Sequence, residues 1–202
     1  MSEVRLFVEP IRRPSNSSNA ELSARRFRRD DAADLIAAAN NPQVSRFLRR
    51  RFPYPYTASD AEAFLDRALD VRATAGSDTW AICVDDRVIG GMGVVGYGGG
   101  EIESHCAELG YWLAEPWWGL GIARRANTHF MNYVWANIPV ISRVYATILV
   151  SNQASRRVAE HLGMTCEGIL AGAKQDRSNP TLLVDVALYA LLRPGVLRAA
   201  SR

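Results

Sequence analysis

Residues 107–136 read AELGYWLAEPWWGLGIARRANTHFMNYVWA, and they fall into an apolar strand, a Pro-aromatic corner and a pair of glycines that open a helix. Ala107 to Leu113 has the length of a buried strand, and the Glu115-Pro116-Trp117-Trp118 corner ends it. Beyond Gly121, the apolar positions Ile122, Ala126, Phe130, Tyr133 and Val134 recur at helical spacing. The first turn of a helix carries unpaired backbone N–H groups and the positive end of the helix dipole, so an anion fits there without a basic side chain. Gly119 and Gly121 add to this, because a bare Cα lets phosphate oxygens come close to the backbone.

Two common phosphate-binding turns do not fit. The spacing is not G-x-x-x-x-G-K-S/T, and no lysine follows. G-x-G-x-x-G fails because Arg124 stands three residues after Gly121, with no acidic residue about 20 residues further on for a ribose hydroxyl. The stretch instead resembles the acetyl-CoA motif of the GNAT superfamily of N-acetyltransferases, Q/R-x-x-G-x-G/A at a strand-to-helix turn. Gly121 and Ala123 occupy its last two marked positions, and Trp118 stands where Gln or Arg is usual. Within that superfamily, ELGYWLAEPWWGLGIA is similar to the RimJ/RimL-like (ribosomal-protein N-acetyltransferase-like) branch, with its E-I/L-G-Y-W and W-G-x-G-x-A. A second block about 30 residues on, from Asn152 through Ser155, Glu160 and Gly163 to Met164, is similar to the family's N-x-x-S-x-x-x-x-E-x-x-G-F/M.

The remaining chain reads as one α/β (α+β) domain. Val4 to Ile11 has strand character, but the breaker-rich Arg12 to Asn19 marks residues 1–20 as an N-terminal extension, with a single domain over 21–202. Glu21 to Phe27 predicts a first strand. Asp30 or Asp31 is placed to cap a helix through Asn40, which Asn41-Pro42 ends. Ser59-Asp60-Ala61-Glu62 has the form of a capping box, opening a helix with Phe64, Leu65, Ala68 and Val71 on one face before Gly76. Thr79–Val84, the turn Asp85-Asp86 and Arg87–Val95 predict a β-hairpin whose Gly90, Gly91 and Gly93 permit a bulge or a close backbone approach. The glycine-rich 96–100 connects to the central strand. Arg143–Val150 predicts a strand, Asn152 leads into a short helix closed by Gly163, and Leu182–Leu192 is the final strand. One sheet with helices on both faces follows from this alternation. The resemblance implies more: a GNAT fold, with a mixed, mostly antiparallel sheet and a V-shaped splay between central strands.

Composition narrows the function classes. At 48% hydrophobic and 22% charged the chain has ordinary globular content, and its net charge of +3 is too mild to imply a polyanionic partner. Arginines crowd the first quarter, at 12, 13, 25, 26, 28, 29, 46, 49, 50 and 51, while lysine occurs only at Lys174. Their simplest role is a solvated surface. RNA binding through them has no recognition motif to support it, so nucleic acid is not an expected partner. Cys83, Cys106 and Cys166 lack C-x-x-C spacing and sit in apolar contexts, which predicts buried thiols, no disulfide framework and no metal site. No apolar run approaches about 18 residues, and the first residues lack a signal peptide's apolar core, so no membrane association and a cytoplasmic location are expected.

Acetyl transfer needs an amine that has lost its proton, and a nearby carboxylate meets that need. In a period-two strand Glu108, Gly110 and Trp112 share one face, while Leu109, Tyr111 and Leu113 share the other, which sets Glu108 as a carboxylate within an apolar strand. It is the first candidate for general base and acceptor contact. The plainer alternative is a carboxylate paired with an arginine. Glu103 and His105 are substitutes if the register slips. The resemblance implies main-chain contacts from Leu109, Tyr111, Trp112 and Leu113 to the acetyl and pantetheine units of acetyl-CoA. It also implies pyrophosphate contacts from the amides of Trp118, Gly119, Leu120, Gly121, Ile122 and Ala123, with Arg124 as charge partner. It gives Asn152 a catalytic or pantetheine-binding role and puts Ser155 and Arg156 on the CoA side. Asn152 as a plain helix cap is compatible with this. In the family the early helices wall the acceptor cleft, which makes Phe47, Phe52, Tyr54 and Tyr56 candidate acceptor contacts or, more simply, loop anchors. Many relatives carry a general-acid Tyr seven residues after the Asn, where this chain has Ala159. No general acid is therefore named. The expected acceptor is a primary amine: a protein N-terminus, a small molecule such as an aminoglycoside, or a free amino acid. The arginine-rich loop at 46–51 argues against a cationic antibiotic and toward an acidic or peptide acceptor, and a homodimer is an open option. A non-catalytic acyl-CoA-binding module is the alternative class.

Overall fold

The computed structural model describes residues 4–15, 18–49, 52–70, 76–99 and 102–197. Eight strands form one sheet: β1 (Arg5–Arg12), β2 (Asn19–Arg25), β3 (Ser77–Val84), β4 (Arg87–Val95), β5 (Cys106–Leu113), β6 (Arg143–Leu149), β7 (Thr165–Gln175) and β8 (Leu183–Leu192). Their order across the sheet is β1-β2-β3-β4-β5-β6-β8-β7. Every neighbouring pair is antiparallel except β5–β6, which is parallel.

Among the described residues five α-helices accompany the strands: α1 (Ala32–Ala39), α2 (Pro42–Ser45), α3 (Ala58–Leu69), α4 (Ile122–Asn137) and α5 (Gln153–His161). Strand alternation sends side chains into two separate cores. On one face Trp80, Ile82, Leu109 and Val144 pack with Ile122, Ala126, Phe130 and Val134 of α4 and Ala159 of α5. On the other, Ala81, Cys83 and Val88 pack with Leu35 and Ala39 of α1 and Ala61 and Leu65 of α3. Trp112 leans on the second core and Tyr111 on the first, so adjacent residues of β5 serve opposite layers.

The predicted hairpin is β3–β4. Its two turn residues, Asp85 and Asp86, both have positive φ, 45° and 65°. Their carboxylates tie that conformation down: Asp85 accepts from the amide of Glu21 at 2.8 Å, and Asp86 pairs with Arg25 and Arg28. The strand glycines allow both of the expected features. Register shifts between Ile82 and Cys83, and a Cβ on Gly93 would lie 2.7 Å from the carbonyl oxygen of Asp78.

The segment ahead of residue 21 forms strand β1, which pairs with β2 and buries Phe7 and Ile11, in keeping with the strand character of Val4 to Ile11. Several local expectations are corrected. Asp31 precedes α1 without capping it. Its carboxylate turns back to the Arg28 amide at 2.7 Å and to the Arg25 guanidinium at 2.7 and 2.9 Å. The capping box of α3 is Thr57 with Asp60, because the Thr57 hydroxyl is the acceptor for the Asp60 amide and Asp60 answers at the Thr57 amide. Val71, expected on that helix, lies outside the described residues. Strand β7 was not anticipated at all. Of the three cysteines Cys83 is buried, Cys106 is intermediate and Cys166 is exposed, so burial holds for one thiol and fails for Cys166.

Candidate active site

The parallel pairing of β5 and β6 stops early. Cys106, Ala107 and Glu108 face Arg143, Val144 and Tyr145, and no further rungs are formed, although β5 runs on to Leu113 and β6 to Leu149. On its other side β5 stays paired with β4 through Leu113. The sheet is therefore split along Leu109 to Leu113, and buried backbone groups facing that split need a partner from elsewhere.

Downstream of the split, Ala114 to Trp118 forms a single 3-10 turn, and the Trp118 indole N–H folds back to donate to the carbonyl of Leu113 at 2.8 Å. Gly119 and Gly121 follow with φ of 75° and 72°, and Gly121 is the N-cap of α4 with no capping side chain. A Cβ on Gly119 would meet no atom within 4 Å, and one on Gly121 only the Arg124 guanidinium at 3.8 Å. The space over these first-turn amides is thus open, with the dipole end behind it. A cleft of about 480 Å³ lies there, between this turn and α5, lined by Gly119, Leu120, Gly121, Arg124, Arg157, Val158 and His161. Bare amides and the two arginines of that lining suit a diphosphate. Ile122 and Leu113 are core side chains, so only their backbones can face a ligand. Arg157 and His161 were not foreseen. They lie one and five residues past Arg156, on the helix that the Asn152 block opens, and a helical wheel of that block would have raised them.

Asn152 caps α5, its side-chain oxygen accepting from the Ser155 amide at 3.1 Å. Ser155 is tied to the central strand, since its hydroxyl lies 2.7 Å from the Tyr111 hydroxyl, which also donates to the Ser155 carbonyl at 3.2 Å. Burial pushes the Tyr111 phenol up to about 12, against the pull of its Ser155 hydrogen bond. Arg156, expected toward CoA, donates instead to the Tyr189 hydroxyl at 3.1 Å, which in turn donates to Glu160 at 2.8 Å.

Glu108 sits on the opposite face, at the last paired rung. Its side chain is 14% exposed and forms an ion pair with Arg49. The Thr147 hydroxyl donates to its other oxygen at 2.9 Å, across the mouth of the split. Lys174 Nζ approaches that same hydroxyl at 3.3 Å. Desolvation, with Arg49 nearby, holds the Lys174 ammonium below its ordinary range. Arg49, Thr147 and Lys174 come from three distant parts of the chain. Only the uniqueness of Lys174 among the basic residues could have drawn notice to it. Glu103 and His105 lie in a 3-10 turn ahead of β5 rather than on the strand, so the register has not slipped.

Above Glu108, Phe52 packs edge-on against Trp112 with ring centroids 5.3 Å apart and leans on Tyr56 at the same separation. Tyr56 is 5% exposed and belongs to the second core, which corrects its expected place on the acceptor surface. Tyr54 is exposed, and Phe47 is half-buried under the Arg46 guanidinium. Arg50 and Arg51 fall outside the described residues. Among the described residues no group of three His, Cys, Asp or Glu side chains is placed to hold a metal, and no helix is long and apolar enough to cross a membrane.

Comparison with known proteins bears on this geometry. Residues 21–165 match the family described as acetyltransferase (GNAT) domain. An uncharacterized N-acetyltransferase, p20 of Bacillus licheniformis, is 25% identical over 175 residues, which is 85% of this chain and 93% of that protein. The structure of RimJ from Mycobacterium smegmatis, in complex with a CoA-disulfide, is similar with a TM-score of 0.74 at 21% identity, covering 98% of this chain and 91% of that one. RimL, a ribosomal-protein alpha-N acetyltransferase in complex with coenzyme A, is similar at 0.73 and 20% identity, covering 85% and 93%.

Proposed function

Because the chain belongs to the GNAT acetyltransferase family, we propose that it moves the acetyl group of acetyl-CoA to a primary amine, with Glu108 taking the proton that the ammonium must lose. Membership in that family, together with a relative named as an N-acetyltransferase, makes the chain an acetyl-CoA-dependent N-acetyltransferase. The position of Glu108 carries the finer reading. A carboxylate placed where β5 and β6 part company, on the face away from α4, lies at the entrance to the split in which an acyl group would be held.

Acetyl-CoA supplies an activated thioester, and this chain's residues bind and orient it. The amides of Trp118 to Ala123 hold the diphosphate, with Arg124 and Arg157 as charge partners. Backbone groups of Leu109 to Leu113 along the split hold the pantetheine and acetyl units, and a backbone N–H there stabilises the charge that builds on the carbonyl oxygen. Asn152 keeps its NH2 group for the pantetheine arm while its oxygen caps α5. Tyr111 and Ser155 set the distance between β5 and that helix.

At neutral pH the acceptor arrives as an ammonium, and Glu108 removes its proton directly or through one water. The acceptor is a free amine of a protein N-terminus or a small molecule. RimL, an alpha-N-protein acetyltransferase, illustrates the first class on this fold. The test is a panel of amines with acetyl-CoA, following free thiol. Glu108→Gln should lower kcat by roughly 10²- to 10⁴-fold and leave CoA affinity within about twofold of wild type. Undiminished kcat in that variant removes Glu108 from the chemistry.

A further inference from the structure

Two cations, Arg49 and Lys174, stand at Glu108 and Thr147, where β5 and β6 part. Arg49 pairs with Glu108, while Lys174 reaches only the Thr147 hydroxyl and has no carboxylate partner among the described residues. Lys174 is nevertheless half-buried, where an ammonium without a counter-ion is costly. The Arg49 side chain is 44% exposed, so a ligand can reach its guanidinium from solvent. Its backbone is fixed all the same: the Arg177 guanidinium donates to the carbonyls of Arg49 at 3.0 Å and Phe52 at 2.5 Å, tying this loop to the β7–β8 connection.

A simple cationic amine meets two obstacles here. Glu108 is already neutralised by Arg49, and Lys174 repels a second ammonium. An amine that carries its own carboxylate removes both. We propose that the acceptor is an amine with a carboxylate close to it, that Lys174 and Arg49 bind this carboxylate, and that Arg49 leaves Glu108 in doing so. Glu108 then faces the acceptor's ammonium and takes its proton. Arg49 and Lys174 are specificity-determining residues in this scheme, and its chemistry rests on the acetyl-transfer reading above. The carboxylate belongs either to a free amino acid or to an acidic first residue of a peptide. The cations Lys174 and Arg49 match both.

Matched acceptors test it with the wild-type protein. Peptides beginning with Asp or Glu are compared with the same peptides beginning with Asn or Gln, and free amino acids with their amides, each with acetyl-CoA and thiol release. The acid member of at least one series should be preferred by about tenfold or more in kcat/KM, which is about 1.4 kcal/mol. The series that shows the preference identifies where the carboxylate comes from. Arg49→Gln and Lys174→Met should each bring that ratio close to one, chiefly through KM, while Arg49→Lys retains part of it. Equal use of acids and amides by wild type overturns the inference while leaving acetyl transfer intact, as does a preference that survives both substitutions. Absence of thiol release with every amine overturns the acetyl-transfer reading beneath it.

Discussion

Gly121→Ala separates the stability role of the glycine turn from its binding role. Gly121 sits at φ 72°, where a Cβ costs about 1–2 kcal/mol. In a domain of this size each kcal/mol lowers Tm by roughly 2–4 °C, so the variant should melt about 2–8 °C lower. No steric collapse accompanies this, because the new methyl would meet only the Arg124 guanidinium, 3.8 Å away. The methyl does stand over the first amides of α4, where a diphosphate would lie. Losing one or two charge-assisted hydrogen bonds, at about 1.5 kcal/mol each, weakens coenzyme A binding roughly ten- to hundredfold. Gly98→Ala is the control: its φ is 78°, a Cβ there meets nothing within 4 Å, and it lies outside the turn. Both variants should lose similar melting temperature by calorimetry, and only Gly121→Ala should lose coenzyme A affinity by titration calorimetry. If Gly121→Ala binds coenzyme A as tightly as Gly98→Ala does, the anion does not rest on these amides.

Three further outcomes follow from the packing. Asp31→Asn removes the buried carboxylate that pairs with the Arg25 guanidinium, itself 2% exposed, and should cost about 3–5 kcal/mol in denaturant unfolding. Tyr111→Phe removes the hydroxyl that bridges β5 to Ser155. It should cost about 1 kcal/mol and raise KM for acetyl-CoA more than it lowers kcat. Glu9 is held below the ordinary glutamate value by its hydrogen bond to His129, at 2.6 Å, and by Arg125. A folded-state value below the unfolded one means its stabilisation is present above about pH 4.3 and is lost as pH falls through the folded value. Glu9→Gln should therefore flatten the acid limb of the Tm–pH curve and leave no extra loss below it.

What could be read in advance depended on how local the signal was. The β3–β4 hairpin was legible because two aspartates can hold positive φ between alternating apolar runs, and α4 because its core face repeats over sixteen residues. Strand β7 was not, since it is mostly exposed, interrupted by Gly168 and Gly172, and broken twice in register against its single partner β8. It has no buried face to impose a period of two. Glu108 stood out as a carboxylate in an apolar strand. Its surroundings did not, because Arg49, Thr147 and Lys174 gain meaning only when folding brings them to one place. Cys166 shows the converse error: an apolar sequence context implies burial only where a second layer covers the strand, and none covers the start of β7.

On the proposed reading the split between β5 and β6 ties binding to catalysis. A gap in a sheet normally closes, because unpaired backbone groups in the interior cost free energy. Here a side-chain link flanks it on each face. Tyr111 ties β5 to Ser155 of α5 on the side of α4 and α5, and Thr147 of β6 donates to Glu108 of β5 on the side of α1 and α3. Because β5 alternates, Glu108 and Tyr111, three residues apart, point to opposite faces, so one ties β5 to β6 and the other ties it to α5. On the proposed reading a thioester entering from the glycine turn meets unpaired backbone groups of β5, and the carboxylate proposed to take the amine's proton also links β5 to β6 through Thr147. Substituting Glu108 by a residue that cannot accept from Thr147 should accordingly disturb acyl positioning as well as proton removal, whereas Gln, which still accepts, isolates the proton step.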